Sequence, residues 1–252
     1  MSPWQAAAIF ATGVVAGTIN TVAGSGTLFT FPVLLAFGYP PVIANVSNTV
    51  GLVPGSVSGA LGYRRELFGQ GARLARLSAA SLTGGVIGAV LLLSLPASAF
   101  QAIVPGFIAL ALVFIIAQPR ISAALARRTS RAAARDLAGP VATAGVLAGG
   151  VYGGYFGAAQ GIMVLAILSL SIDDELQRIN ALKVVLAGLV NLVSGVIFVF
   201  AANVAWAPAG LIALGSVIGG TLGARVGRRL EPRVLRVVIV VVGIAAIVHL
   251  VA

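Results

Sequence analysis

The chain has no cysteine, a single histidine and only six acidic residues. Without thiols there are no disulfides, no thiolate metal sites and no cysteine catalysis. Glu66, Asp136, Asp173, Asp174, Glu175 and Glu231 all fall between apolar runs rather than inside them, so a buried carboxylate relay for protons has no candidate. His249 stands alone in a valine-rich stretch. No constellation for hydrolytic or metal chemistry is left. The expectation is a protein that is not an enzyme, with no catalytic residue, no cofactor and no metal.

What is present is apolar. Of 252 residues 59% are hydrophobic and 9% charged, with a mean hydropathy of +1.08, too little polar surface to coat a water-soluble globule. Apolar runs of roughly 16 to 24 residues recur along the chain, against the ~20 that a helical span needs. Strand-like alternation is absent, so the reading is an all-α polytopic membrane protein. The first residues, "MSPWQAAAIF", carry no basic n-region, which argues against a cleaved signal peptide. A formal charge of +10 would suit nucleic acid, but the arginines sit in short clusters with no aromatic-rich basic face. The partners expected are the lipid bilayer and a small anionic substrate, with no nucleic acid; a homo-oligomer is compatible with the composition.

Two halves resemble one another. "GVVAG" at Gly13–Gly17 returns as "GVLAG" at Gly145–Gly149, and "SLTGGVIGA" at Ser81–Ala89 as "SVIGGTLGA" at Ser216–Ala224. The second match is spaced by 135 residues, which also puts Asn45 on Asn180 and Asn48 on Lys183.

Apart from Arg178, the arginines gather at Arg64–Arg76, Arg120–Arg135 and Arg225–Arg236. The positive-inside rule puts all three segments in the cytoplasm. For that to hold, the run Pro140–Leu170 must enter and leave by one face, as a hairpin broken at "FGAAQG". The matching hairpin, residues 4–37, breaks at "AGSGT". Equivalent loops then carry opposite charge: basic "YRRELFGQGAR" matches neutral "FVFAANVAWAP", and neutral "PASAFQ" matches basic "EPRVLR". That pattern predicts inverted-topology repeats. Repeat 1 covers 1–118 and repeat 2 covers 140–252, each a broken or re-entrant hairpin followed by three transmembrane helices. Residues 119–139 are a basic cytoplasmic linker, and the N-terminus lies outside a bacterial cytoplasmic (inner) membrane.

Broken helices in hydrocarbon are tolerated only where protein or a cavity satisfies the freed backbone groups, so the breaks mark candidate sites. Gly24 and Gly26 allow a tight turn, and Ser25 and Thr27 are expected to cap a following helix, Leu28–Phe37. Its N-terminus would offer free amides and a positive dipole end to an anion. "FGAAQG", with Gly157 and Gln160, offers the same from the other half. On the next span of each half, at 100° per residue, Asn180, Lys183, Asn191 and Ser194 fall within about 80°, and Asn45, Asn48, Thr49 and Ser56 within about 100°. Interhelical hydrogen bonding explains such stripes as well as transport does. Lys183 is the only lysine; an intramembrane cation suggests function, and snorkelling to the surface is the alternative.

The stretch "AGTINTVAGSGTLFTFPVLLAFGYPPVIANVSNTVGLVPGSVSGALGYRREL" and its weaker copy around "GVYGGYFGAAQGIMVLAILSLSIDDELQRINALKVVLAGLVNLVSGVIF" resemble the TauE/SafE family, also called the toluene-sulfonate uptake permease family. The resemblance spans nearly the whole chain and implies carriage of small sulfur-containing anions such as sulfite, sulfoacetate or related organosulfonates. It implies a substrate site at Gly24, Ser25, Gly26, Thr27, Asn45, Asn48, Gly157, Gln160, Asn180 and Lys183; the polar stripe adds Asn191. Alternating access is the expected mechanism. An anion channel on the same scaffold, distinguished by large single-channel current, and a non-transporting membrane accessory protein, distinguished by failure to bind or move any anion, stay open.

The topology is testable by cysteine labelling. Cysteines placed in "YRRELFGQGAR", the linker and "RRLEPR" should react only from the cytoplasmic side, and those in "PASAFQ" and "NVAWAP" only from outside. Labelling of equivalent loops from one side would sink the inverted arrangement.

Overall fold

The computed structural model describes residues 1–128 and 139–226. Nine α-helices are present among them: α1 (Pro3–Val22), α2 (Thr27–Ala36), α3 (Pro41–Gly62), α4 (Gly71–Ser94), α5 (Ala97–Arg128), α6 (Pro140–Tyr155), α7 (Gln160–Ser171), α8 (Leu176–Ala201) and α9 (Trp206–Val226). There is no strand among the described residues. Helices α1, α4, α8 and α9 are long and apolar enough to cross a membrane, so the chain is a multi-pass helical membrane protein. By contrast α2 and α7, with 10 and 12 residues, rise only about 15 and 18 Å, roughly half of a hydrocarbon core. The final apolar run, the arginines from Arg228 on, His249 and the linker's Arg131 and Arg135 lie outside the described residues.

Helix α5 continues through the first part of the expected linker to Arg128, since "ISAALARR" is rich in the alanine, leucine and arginine that favour helix.

Small residues bring the backbones together. On α1, Gly13 faces Ile212 and Gly17 faces Ser216 of α9; on α3, Gly51 faces Ile212, Gly55 faces Ser216 and Gly62 faces Ala224. Residue numbers rise together along these contacts, so α1, α3 and α9 run in one direction. Gly84 faces Leu147 and Gly150 of α6, and Gly88 faces Val151 and Tyr155. Ser81 Oγ donates to Leu186 O of α8 (2.8 Å), and Ser194 Oγ to Gly85 O (3.2 Å). Hence α4, α6 and α8 also run together. The two groups meet along α3 and α8, where Ser56 lies against Gly188 and Val50 against Gly195, an antiparallel order.

The seam has a two-fold character. Ser216 Oγ donates to Gly51 O (3.0 Å), and each of its partners lies 135 residues from its counterpart in the Ser81–Leu186 bond. Asn191 Nδ2 donates to Ser56 Oγ at 3.4 Å, a pair itself 135 residues apart.

Because these contacts leave no room for a side chain, Gly84→Val and Gly219→Val should each lower the melting temperature in detergent. A Cβ at Gly84 overlaps Leu147 O, and one at Gly219 overlaps Val14 O. Gly106→Ala and Gly210→Ala, where a Cβ meets nothing within 4 Å, should instead leave stability unchanged or raise it by about 0.5–1 kcal/mol.

Candidate functional site

Helix α1 ends in a left-handed glycine. The Ala23 and Gly24 amides both donate to Ile19 O, at 2.7 and 2.9 Å, and Gly24 has φ 84°, a conformation glycine adopts without penalty. Helix α6 ends the same way: the Phe156 and Gly157 amides donate to Tyr152 O at 2.9 and 3.1 Å, with Gly157 at φ 79°. The chain then turns into α2 and α7. Ala159, which opens α7, is also left-handed at φ 59°. For a residue with a Cβ this costs of order 1–3 kcal/mol, strain that concentrates at functional sites.

The two turns touch. The Gly161 amide donates to Gly24 O at 3.0 Å, and a Cβ on either glycine would overlap the other's backbone. Both turns are buried. Ser25 is fully buried and Gln160 is 3% exposed, yet Ser25 Oγ and Gln160 Nε2 have no hydrogen-bond partner. Neither Ser25 nor Thr27 caps α2. The N-cap is Gly26 in an α-helical conformation with no side-chain bond, a geometry that does not aim a neighbouring hydroxyl at the first turn, and α2 starts one residue earlier than expected.

The spans that follow grip the hairpins. Asn48 on α3 donates to Thr27 Oγ1 at 3.2 Å and accepts from Thr30 Oγ1. Asn45 Nδ2 donates to Tyr155 O at 3.0 Å, on the last residue of α6, while its Oδ1 is unpartnered. Lys183 on α8 is fully buried and donates from Nζ to Asn20 O and Thr21 O, at 3.2 and 3.1 Å. It therefore neither snorkels to the surface nor stands free. Its charge rests on the C-terminal carbonyls of α1, the negative end of that helix dipole, and two of its three donors are engaged. Its stem packs beside Gly161. Asn180, one turn earlier, is buried with Oδ1 unpartnered. Asn191 is apart from this group, bonded to Ser56 on the α3–α8 seam.

Sequence reasoning missed three participants. The carbonyls of Asn20 and Thr21 carry no side-chain signal. Gly161 closes "FGAAQG", and its role in the contact follows only from the fold. An aromatic cluster also walls the second turn, with Phe31 and Phe156 edge-on at 5.1 Å and Phe100 at 6.0 Å from Phe156. Among the described residues no group of three or more His, Asp or Glu side chains is placed to hold a metal. The arrangement offers hydrogen-bond donors and helix N-termini around a buried contact, which is chemistry for holding an anion.

The profile of the family described as "Sulfite exporter TauE/SafE" matches residues 9–250. The chain belongs to the TauE/SafE family. It is 28% identical to a probable membrane transporter protein of Haemophilus influenzae over 221 residues, covering 87% of this chain and 84% of that one. It is 25% identical to the probable membrane transporter protein YfcA of Escherichia coli K12 over 244 residues, 96% and 88% of the two chains. It is 27% identical to the probable membrane transporter protein ORF9 of a Sinorhizobium species over 246 residues, 97% and 91%. No solved structure matches it.

A polar network ties the second hairpin of this TauE/SafE protein to α4. Asp174, between α7 and α8, binds Arg73 Nη1 and Arg178 Nε, each at 2.8 Å. Gln70 Nε2 donates to Arg178 O at 3.2 Å, and Arg178 Nη1 to Phe68 O at 3.2 Å. Burial pushes the Asp174 carboxyl up. The Arg73 hydrogen bond, the Glu175 amide and the charges of Arg178 and Arg73 outweigh it and hold the group below its ordinary value. A depressed carboxylate stabilises the fold above its unfolded pKa, and that contribution is lost as pH falls through the folded pKa. Asp174→Asn should thus melt earlier than wild type at neutral pH, and the two curves should converge below the usual carboxylate range. A difference that persists in acid would mean that the charge is not what stabilises this loop.

Proposed function

We propose that this protein carries small sulfur-containing oxyanions, such as sulfite, sulfoacetate or related organosulfonates, across the bacterial cytoplasmic membrane by alternating access, with the anion held between the two hairpin tips. The observation that carries this reading is the pair of buried, unpartnered groups, Ser25 Oγ and Gln160 Nε2, either side of the Gly24–Gly161 contact. Leaving a buried polar group unpaired costs about 1–3 kcal/mol, an expense that a bound ligand removes. Each helix N-terminus supplies the equivalent of roughly half a positive charge, so α2 and α7 together offset about one negative charge. Lys183, shared with the end of α1, adds the surplus that a dianion needs. Sulfur enters through the family: the site selects an oxyanion headgroup, and the family is described by sulfite export.

Inverted repeats are part of this reading, and the helix directions support them. Counterparts α1 and α6, α3 and α8, and α4 and α9 run in opposite directions, and the Ser81–Leu186 bond recurs 135 residues away as the Ser216–Gly51 bond. Two halves so related can exchange conformations, opening the site alternately to each side. Because the tips meet backbone to backbone, a carrier that must part them fits better than a permanently open channel. Trp4 and Trp206, both exposed, begin the parallel helices α1 and α9, as an outer aromatic belt would have it.

Competition binding of sulfite, sulfoacetate, taurine, sulfate and a simple carboxylate to purified protein tests the reading. Ser25→Ala and Gln160→Leu should each weaken oxyanion binding by about 1.5–3 kcal/mol, the range for a hydrogen bond to a charged group. Lys183→Gln, which can still donate to Asn20 and Thr21, should weaken a dianion much more than a monoanion. Unchanged affinities in all three variants, or anion flux into liposomes that never saturates, would refute the carrier.

A further inference from the structure

A groove of about 290 Å³ runs between α3 and α8, away from the hairpin tips. Ser56, Val57, Ala60 and Leu61 form one wall, at the i, i+1, i+4 and i+5 positions of one face of α3, and Arg64 lines the groove in the turn just past that helix; α8 supplies the other wall from Val184 to Leu192. The groove exists because Ala60 and Gly188 are small, and Ser56 lies directly against Gly188. It opens outward between Val57, Leu61 and Leu192, which are 53%, 62% and 42% exposed. From Ser56 to Leu61 it follows α3 for about 8 Å, with Arg64 beyond the helix end. No acidic residue lines it. At one end Arg64, with Arg65 beside it, is exposed, and neither guanidinium makes a hydrogen bond or ion pair among the described residues.

We infer that this groove holds one acyl chain of an anionic glycerophospholipid from the cytoplasmic leaflet, with its phosphate on Arg64. The walls match a hydrocarbon chain, and the unpaired arginines at the end assigned to the cytoplasm match an anionic headgroup; basic sites at helix ends on that face are where such lipids dock. The lipid lies on the α3–α8 seam beside the Asn191–Ser56 bond, where the two halves meet. It is thereby placed to bias how far they part. A second copy of the chain would cover the same apolar walls, but would have to bury two uncompensated arginines at their end.

The test is to purify the protein in mixed micelles of phosphatidylglycerol and phosphatidylcholine and count retained lipid by native mass spectrometry. Wild type should keep one phosphatidylglycerol per chain in preference to phosphatidylcholine. Arg64→Gln should cut that preference about fivefold, the scale of one basic residue at an anionic surface, with its melting temperature unchanged. Val57→Trp, an exposed position that fills the groove, should abolish retention of both lipids. If that variant fails to fold, the Arg64→Gln comparison alone decides. Glycerol 3-phosphate, which has the headgroup chemistry without chains, should not displace the lipid. Equal retention of the two lipids by wild type, an unchanged preference in Arg64→Gln, displacement by glycerol 3-phosphate, or a lipid-free dimer broken by Val57→Trp would each overturn the assignment.

Discussion

The architecture turns on the meeting of two glycines, Gly24 and Gly161, where the backbones of opposite hairpins share a hydrogen bond. Neither helix pair could approach so closely with a Cβ at either position. The price is a set of helix ends deep in an apolar protein, with carbonyls from α1 and α6 and amides from α2 and α7 to satisfy. Three buried polar side chains nearby answer part of that need. Asn45 covers the end of α6, Lys183 covers the end of α1, and Asn48 holds the start of α2 through Thr27.

Seen this way, Lys183 has a double role. It neutralises the negative end of α1 where no water can, and it brings a positive charge to the neighbourhood of the hairpin contact. Its counterpart Asn48 is uncharged and bonds to α2 rather than to a helix C-terminus. The two halves are therefore alike in path and unlike in electrostatics.

Packing between the helices is tight for a reason specific to membranes. Lipid tails are as apolar as leucine, so helices gain little by hiding leucines from them and associate through close backbone approach and interhelical hydrogen bonds. The rows of glycine on α1, α4 and α9, and the Ser81, Ser194 and Ser216 bonds to carbonyls of neighbouring helices, follow that rule. The Arg73–Asp174–Arg178 network lies instead between helices, at a loop, where charges are affordable.

Composition and local pattern alone determined the helical membrane class and the positions of both helix breaks, because hydropathy and glycine spacing are local quantities; the family was legible only through the resemblance of two long stretches of the chain. The breaks at "AGSGT" and "FGAAQG" were legible since only glycine takes the φ of Gly24 and Gly157 cheaply. The partners of the polar stripe were not legible. Helical spacing grouped Asn180, Lys183 and Asn191 on one face, but which helix that face meets depends on how α1, α3 and α8 cross. Tertiary structure sent Asn191 to Ser56 and Lys183 to two main-chain carbonyls, and a carbonyl leaves no trace in a sequence. It also denied Ser25 the capping role its residue type suggested, because the backbone of Gly26 is already helical. The hydroxyl was left buried and unpaired.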